Sequence, residues 1–167
     1  MREKAVIVVM QPRDLLWRAL CERTIDLARY LEDIESAELV SKETAPNGLI
    51  RQVHFWRARA NVPALLAPHI NGQFLEWTGR VEWQADAYES RWLVEPRFMK
   101  SATLCEAIMN LSPAVGGKGT RLSLELEVVG APGFAGVQTI AKSILTGHFR
   151  KLVDAASRLI ESEWNAV

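Results

Sequence analysis

The sequence predicts an α+β fold: seven antiparallel strands packed against one long C-terminal helix, with two short helices inserted after the first strand. Three observations predict it. Segments with apolar residues at every second position recur from residue 34 to residue 129, mostly joined by short turns, and strands so joined run antiparallel. The apolar period becomes that of a helix after Pro132 and keeps it to the end of the chain. A brief helical pattern also separates the first strand from the other six.

Residues 4–11, KAVIVVMQ, are rich in the β-branched residues that suit a pleated surface, and the run ends at Pro12. It is apolar on both faces, which places it well inside the sheet or beneath a helix. Pro12 suits a first helical turn, and Leu15, Leu16, Ala19 and Leu20 then recur at helical spacing. Thr24 is a candidate N-cap for a second short helix ending near Tyr30, with Leu27, Ala28 and Leu31 on one face.

Residues 34–44 and 49–60 read as a hairpin about Ala45-Pro46-Asn47-Gly48, because Asn-Gly is a strong signal for a tight turn. In its second strand Arg51, Arg57 and Arg59 share one parity, while Ile50, His54, Trp56, Ala58 and Ala60 share the other. Strand side chains alternate between faces, so the arginines should meet water and Trp56 the interior. Residues 61–73 carry two prolines and a glycine and read as a loop. Its Val62, Leu65, Leu66 and Ile70 imply that it folds over something.

Residues 74–85 carry the clearest pattern. Leu75, Trp77, Gly79, Val81, Trp83 and Ala85 alternate with Glu76, Thr78, Arg80, Glu82 and Gln84, as in a half-buried antiparallel strand. Asp86-Ala87-Tyr88 connects tightly to residues 89–98, where Trp92, Val94 and Phe98 take the inward parity. Two parities compete in residues 102–112. Cys105, Ala107, Met109 and Leu111 are wholly apolar and are the set expected inside. The other set would bury Glu106 and Asn110, which would then need partners. Gly116-Gly117-Lys118-Gly119 turns the chain into residues 120–129, with Leu122, Leu124, Leu126 and Val128 alternating inward. Beyond Gly133, one stripe runs from Val137 through Ile140, Ile144, Phe149, Leu152, Val153, Ala156 and Leu159 to Ile160. Roughly thirty residues of helix span about 45 Å. Gly147, inside it, permits a bend or a close approach.

The bulk composition narrows the function classes. At 167 residues the chain suits a single domain, residues 1–167. Twenty basic and twenty acidic residues give zero formal net charge, so there is no electrostatic case for nucleic acid or an anionic membrane surface. Two cysteines, Cys21 and Cys105, are too few for a disulfide scaffold and read as reduced core thiols. The N-terminal apolar run is shorter than a signal-peptide core, and nowhere are there the ~20 consecutive apolar residues of a membrane span. A cytoplasmic protein without an integral membrane segment is expected. Nothing bears on its oligomeric state.

Three phrases carry a likeness: Ile25-Asp26-Leu27-Ala28-Arg29-Tyr30-Leu31, then Ile34-Glu35-Ser36-Ala37-Glu38-Leu39-Val40, and later Gly117-Lys118-Gly119-Thr120-Arg121-Leu122. With the element order, they resemble the START-like or pollen-allergen-like (SRPBCC) superfamily, which includes polyketide cyclases and coenzyme Q-binding proteins. The long 61–73 connection departs from its simplest members. The resemblance implies a helix-grip fold, a curved seven-stranded sheet around the last helix, with a cavity between them. It implies a lipid, isoprenoid, quinone or polyketide as ligand, and in some members cyclisation or dehydration. Fold does not choose among these.

Trp56, Trp77, Trp83 and Trp92 all take inward positions on three consecutive strands. Either they fill a solid core or they form the aromatic wall of a small-molecule pocket. Trp17 and Trp164 fall on helices, at the surface or in packing. His54 has the inward parity beside Trp56, and His148 lies on the long helix. Each is either a hydrogen-bonded structural histidine or a general acid or base. His69 completes the set of three, and their spacing matches no zinc motif. The glycines at 116–119 lack the spacing of a phosphate loop and precede a strand, not a helix. The expected function is to bind a hydrophobic small molecule as carrier, sensor or chaperone. The expected pocket residues are His54, Trp56, Trp77, Val81, Trp83, Trp92, Ile144 and His148, with no cofactor, no metal and no assigned catalytic residue. A polyketide cyclase or dehydratase and a pocketless interaction domain are the alternatives.

Overall fold

The computed structural model describes the backbone of residues 2–59, 76–97, 105–128 and 136–165. It describes their side chains except at residues 96, 136–144, 164 and 165. The 61–73 loop, Leu75, Phe98 and the Gly130–Gly133 turn lie outside the described residues. The elements run β1 (Arg2–Val9), α1 (Arg13–Glu22), a 3-10 helix (Ile25–Tyr30), β2 (Ile34–Thr44), β3 (Ile50–Ala58), β4 (Glu76–Gln84), β5 (Glu89–Pro96), β6 (Cys105–Ala114), β7 (Gly119–Val128) and α2 (Gly136–Asn165). The strands form one seven-stranded sheet in the order β1-β7-β6-β5-β4-β3-β2, and every neighbouring pair is antiparallel.

The alternation seen in the sequence holds where one face is buried. Gly79, Val81 and Trp83 of β4 are buried, with the half-buried Trp77 on the same face. On β6 the apolar set faces in: Cys105, Ala107, Met109 and Leu111 are buried, and Glu106 is exposed. The β2–β3 turn closes with Gly48 donating its N–H to the Ala45 carbonyl at 2.9 Å. Gly48 sits at φ +85°, a conformation open to glycine at no steric cost. Asn47 Oδ1 accepts the Leu49 N–H at 3.1 Å, an Asx turn beside it.

Two expectations are corrected. β1 is not interior. It is an edge strand paired only with β7, and Val6 and Val8 are 49% and 58% exposed. Its other parity, Ala5, Ile7 and Val9, packs against the core. Thr24 does not cap the second helix. Its hydroxyl donates back to the Leu20 carbonyl, and the segment that follows is a 3-10 helix. Thr24 itself has helical backbone angles, φ −51° and ψ −46°, where an N-cap is extended.

α2 lies across the sheet and packs on α1, on the 3-10 helix and on β7. Leu145, Phe149, Leu152, Val153, Ala156 and Leu159 are buried along it. Ion pairs Lys151–Asp33 and Arg23–Glu163 tie it to the segments flanking the 3-10 helix. The helix passes through Gly147 unbroken, and a Cβ there would meet nothing within 4 Å among the described residues. Gly147 thus marks no break in the helix.

The two ends of the sheet differ. At one end β2–β3, β4–β5 and β6–β7 are joined by short turns. At the other, β3, β5 and β7 end and β4, β6 and α2 begin. There Glu76 at the start of β4 is clamped by Arg57 of β3 and Arg97, just after β5. Hydrogen bonds from Arg97 and Arg57 hold its carboxyl below the usual range. That explains how a residue of the outward parity is only 8% exposed.

Candidate ligand-binding site

The inner face of β3 carries a buried polar group absent from the sequence-based set. Gln52 shares the parity of His54 and Trp56 and is buried with them. Its amide joins three elements. Its Nε2 donates to the Cys21 carbonyl at the end of α1, at 2.9 Å. Its Oε1 accepts the Trp83 Nε1–H from β4, at 2.9 Å. An indole nitrogen can only donate, so this contact fixes which way the amide faces. The same Oε1 lies 2.9 Å from His54 Nε2. An oxygen that only accepts requires that Nε2 carry the hydrogen.

The tautomer of His54 follows. With the proton on Nε2, Nδ1 is a bare acceptor. His54 is 0% exposed, and Nδ1 has no hydrogen-bond partner among the described residues. The two ring nitrogens point in nearly opposite directions, so Nδ1 faces away from Gln52. Trp56 and Trp92 flank the ring, with centroids at 6.3 and 6.4 Å. Across the strand His54 is opposite Gly79, and the Trp56 indole leans over that glycine, 3.7 Å from the position of a Cβ.

The aromatic rings fall into two groups. Toward the short-turn end, Trp83 meets Trp17 of α1 and Trp92 edge-on, each at 5.4 Å. Trp92 in turn meets Phe149 of α2 at 5.4 Å. Trp17 also meets Tyr88 at 5.6 Å, and Trp92 Nε1 donates to the buried Ser90 Oγ at 2.9 Å. Here Trp83, Trp92 and Val81 are buried side chains of the hydrophobic core. Toward the other end, Trp56 and Trp77 are cross-strand neighbours, parallel within 5° at 6.3 Å. His148 of α2 stands edge-on to both, at 5.5 and 5.4 Å. Trp77 and His148 are half-buried, so this group is the less closed of the two. Ile144 lies on α2 one turn before His148, and its side chain is outside the described residues.

Burial sets the protonation states. It pushes the His54 pKa down to about 4. Burial likewise pushes His148 down to about 4, with Lys151 lowering it further and Asp33 opposing. Both imidazoles are neutral at pH 7. A conjugate acid near 4 makes a weak general base and leaves almost no imidazolium to act as an acid. Burial raises Cys21 to about 11 and Cys105 to about 12, which makes both thiols inert. Among the described residues no three His, Cys, Asp or Glu side chains are grouped to hold a metal ion.

No family model and no curated protein matches the chain. Solved structures do. TTHA0849 from Thermus thermophilus superposes with a TM-score of 0.68 at 20% identity, over 98% of this chain and 99% of that one. The Zhui aromatase/cyclase from Streptomyces sp. R1128 follows at 0.67 and 15%, over 96% and 93%. Ara h 8.0201 gives 0.60 at 16%, over 97% and 98%. This is the START-like, pollen-allergen-like (SRPBCC) fold. In this helix-grip arrangement, β3, β4 and β5 are the part of the gripping sheet that carries the tryptophans, and α2 is the gripped helix. Its interior is asymmetric here. One end gathers the buried Trp17, Trp83, Trp92 and Phe149, and the other the buried Trp56 with the half-buried Trp77 and His148.

Proposed function

We propose that residues 1–167 act as one helix-grip domain that binds a small hydrophobic molecule between the sheet and α2, as a carrier, sensor or chaperone. One observation carries the reading. Trp56 and Trp77 stack side by side on the inner face, and His148 closes against both from the helix. Two parallel indoles beside a neutral imidazole make an apolar, polarisable surface suited to a flat or chain-like ligand. The likeness to an aromatase/cyclase and to Ara h 8.0201 supports an interior ligand of this kind. The absence of net charge favours a neutral one.

A cyclase or dehydratase is the second reading, favoured by the likeness to the Zhui aromatase/cyclase and to the di-domain ARO/CYC StfQ. The chemistry of the two histidines weighs against it, since neither is a competent acid near neutrality. Native mass spectrometry of protein purified from its own host, with extraction of the bound material, tests the primary reading. A co-purifying apolar molecule is the expected result. No bound mass, together with no thermal shift across a panel of lipids, quinones and polycyclic aromatics, would overturn it. Chemical conversion of such a molecule on incubation would favour the enzyme.

A further inference from the structure

We infer that His54 is the specificity-determining acceptor of this site, and that the ligand it selects donates a hydrogen bond from a hydroxyl, as an alcohol, phenol or enol does. This rests on the interior-ligand reading above and adds the chemistry of the recognised group. Three facts converge. His54 is fully buried on the same face of β3 as Trp56. Gln52 holds its Nε2–H, so the nitrogen that looks away from the network is an acceptor. That nitrogen has no partner among the described residues, and an unmet buried acceptor is unfavourable enough to reward any ligand that satisfies it.

Gln52 is a positioning residue. Its Oε1 is taken up by Trp83 and His54, and its Nε2 donates one of its two hydrogens to the Cys21 carbonyl. Its part is to hold the imidazole in the tautomer that accepts. Nδ1 therefore discriminates against groups that only accept. A ketone, ether or quinone oxygen brought to Nδ1 sets one lone pair against another. A hydroxyl does not.

Isothermal titration of the whole chain with 2-naphthol, 2-methoxynaphthalene and naphthalene separates the possibilities. The three share one ring system, and only the first donates. 2-Naphthol is expected to bind at least about tenfold more tightly than either of the others. His54→Phe should bring the three within about twofold while keeping affinity for the methyl ether. Nitrogen-15 NMR of the wild-type imidazole supplies a readout that needs no variant. Nε2 should resonate as a protonated nitrogen and Nδ1 as an unprotonated one, and 2-naphthol should shift Nδ1. Equal affinity for all three probes, the opposite tautomer, or undiminished discrimination in His54→Phe would overturn the acceptor role and leave the pocket standing. Failure of all three probes to bind would remove the pocket and this inference with it.

Discussion

Gln52→Leu is the most direct test of the buried network. The substitution nearly preserves volume and removes every polar contact of the side chain. Three groups lose their partner at once: the Cys21 carbonyl, the Trp83 indole N–H and the His54 Nε2–H, each now bonded at 2.9 Å. A buried neutral group left unmet costs about 1–3 kcal/mol. The better burial of leucine offsets about 1–2 kcal/mol. The expected loss is therefore about 4 kcal/mol, at the severe end for one substitution. Urea unfolding at pH 7, followed by far-UV circular dichroism, measures it, with the slope checked for constancy between variants. A double-mutant cycle sharpens the result. In the Gln52→Leu background, His54→Leu removes a group that is already orphaned, so the two costs should fall short of additivity by about 1 kcal/mol or more. A loss below about 1 kcal/mol, or strict additivity, would refute the claim that this amide is a shared hub.

Three further outcomes are expected. Acid should destabilise the fold above the range of carboxylate titration: the unfolded chain takes up a proton on His54 and on His148 near pH 6.5, the folded one only near 4, so stability is full above 6.5 and falls through that window. For the fully buried His54 the span is worth about 3 kcal/mol, and urea midpoints from pH 8 to 4.5 should decline in wild type and less steeply in His54→Phe. Gly147→Ala meets no described residue within 4 Å in mid-helix and should raise stability by about 1 kcal/mol, or roughly 2–4 °C in Tm by calorimetry; a loss would mean that the added methyl meets a neighbour. Val115 is 55% exposed and sits at φ +51°, a strained setting for a β-branched residue. Val115→Gly should therefore stabilise by about 1 kcal/mol, and unchanged thermal unfolding would contradict the strain.

What was legible in the sequence depended on how locally each feature is determined. Period-two alternation on β4 identified Trp77, Gly79, Val81 and Trp83 as one face, because pleating alone dictates it. The same parity on β3 contained Gln52, and a polar residue at an inward position was the available signal for the hub. Its partners could not be read, since Cys21 and Trp83 are each 31 residues away along the chain. β1 misled for a related reason. An apolar run reports a preference for burial, while its place at the edge is settled by the order of the sheet. Glu76 sat at an outward position and is nonetheless nearly covered, because Arg57 of β3 and Arg97, just after β5, converge on it. The four inward tryptophans were readable as a set. Their division into a sealed group and a more open one depends on Trp17 and Phe149, which come from the two helices.

The contact chain of rings has a photophysical consequence. Trp17, Trp83 and Trp92 touch in sequence, Trp56 and Trp77 touch each other, and Phe149 and His148 bridge the two sets. Indoles this close pass excitation among themselves before they emit. The ultraviolet glow of these residues therefore belongs to the lattice and not to any single ring. Light absorbed deep at Trp83 can leave from Trp92 next to it, and a quencher resting on Trp77 dims Trp56 as well. Removing one indole would redirect the emission of its neighbours instead of subtracting a fixed share. The fold thus carries a built-in antenna, whose colour and polarisation are set by its rings together.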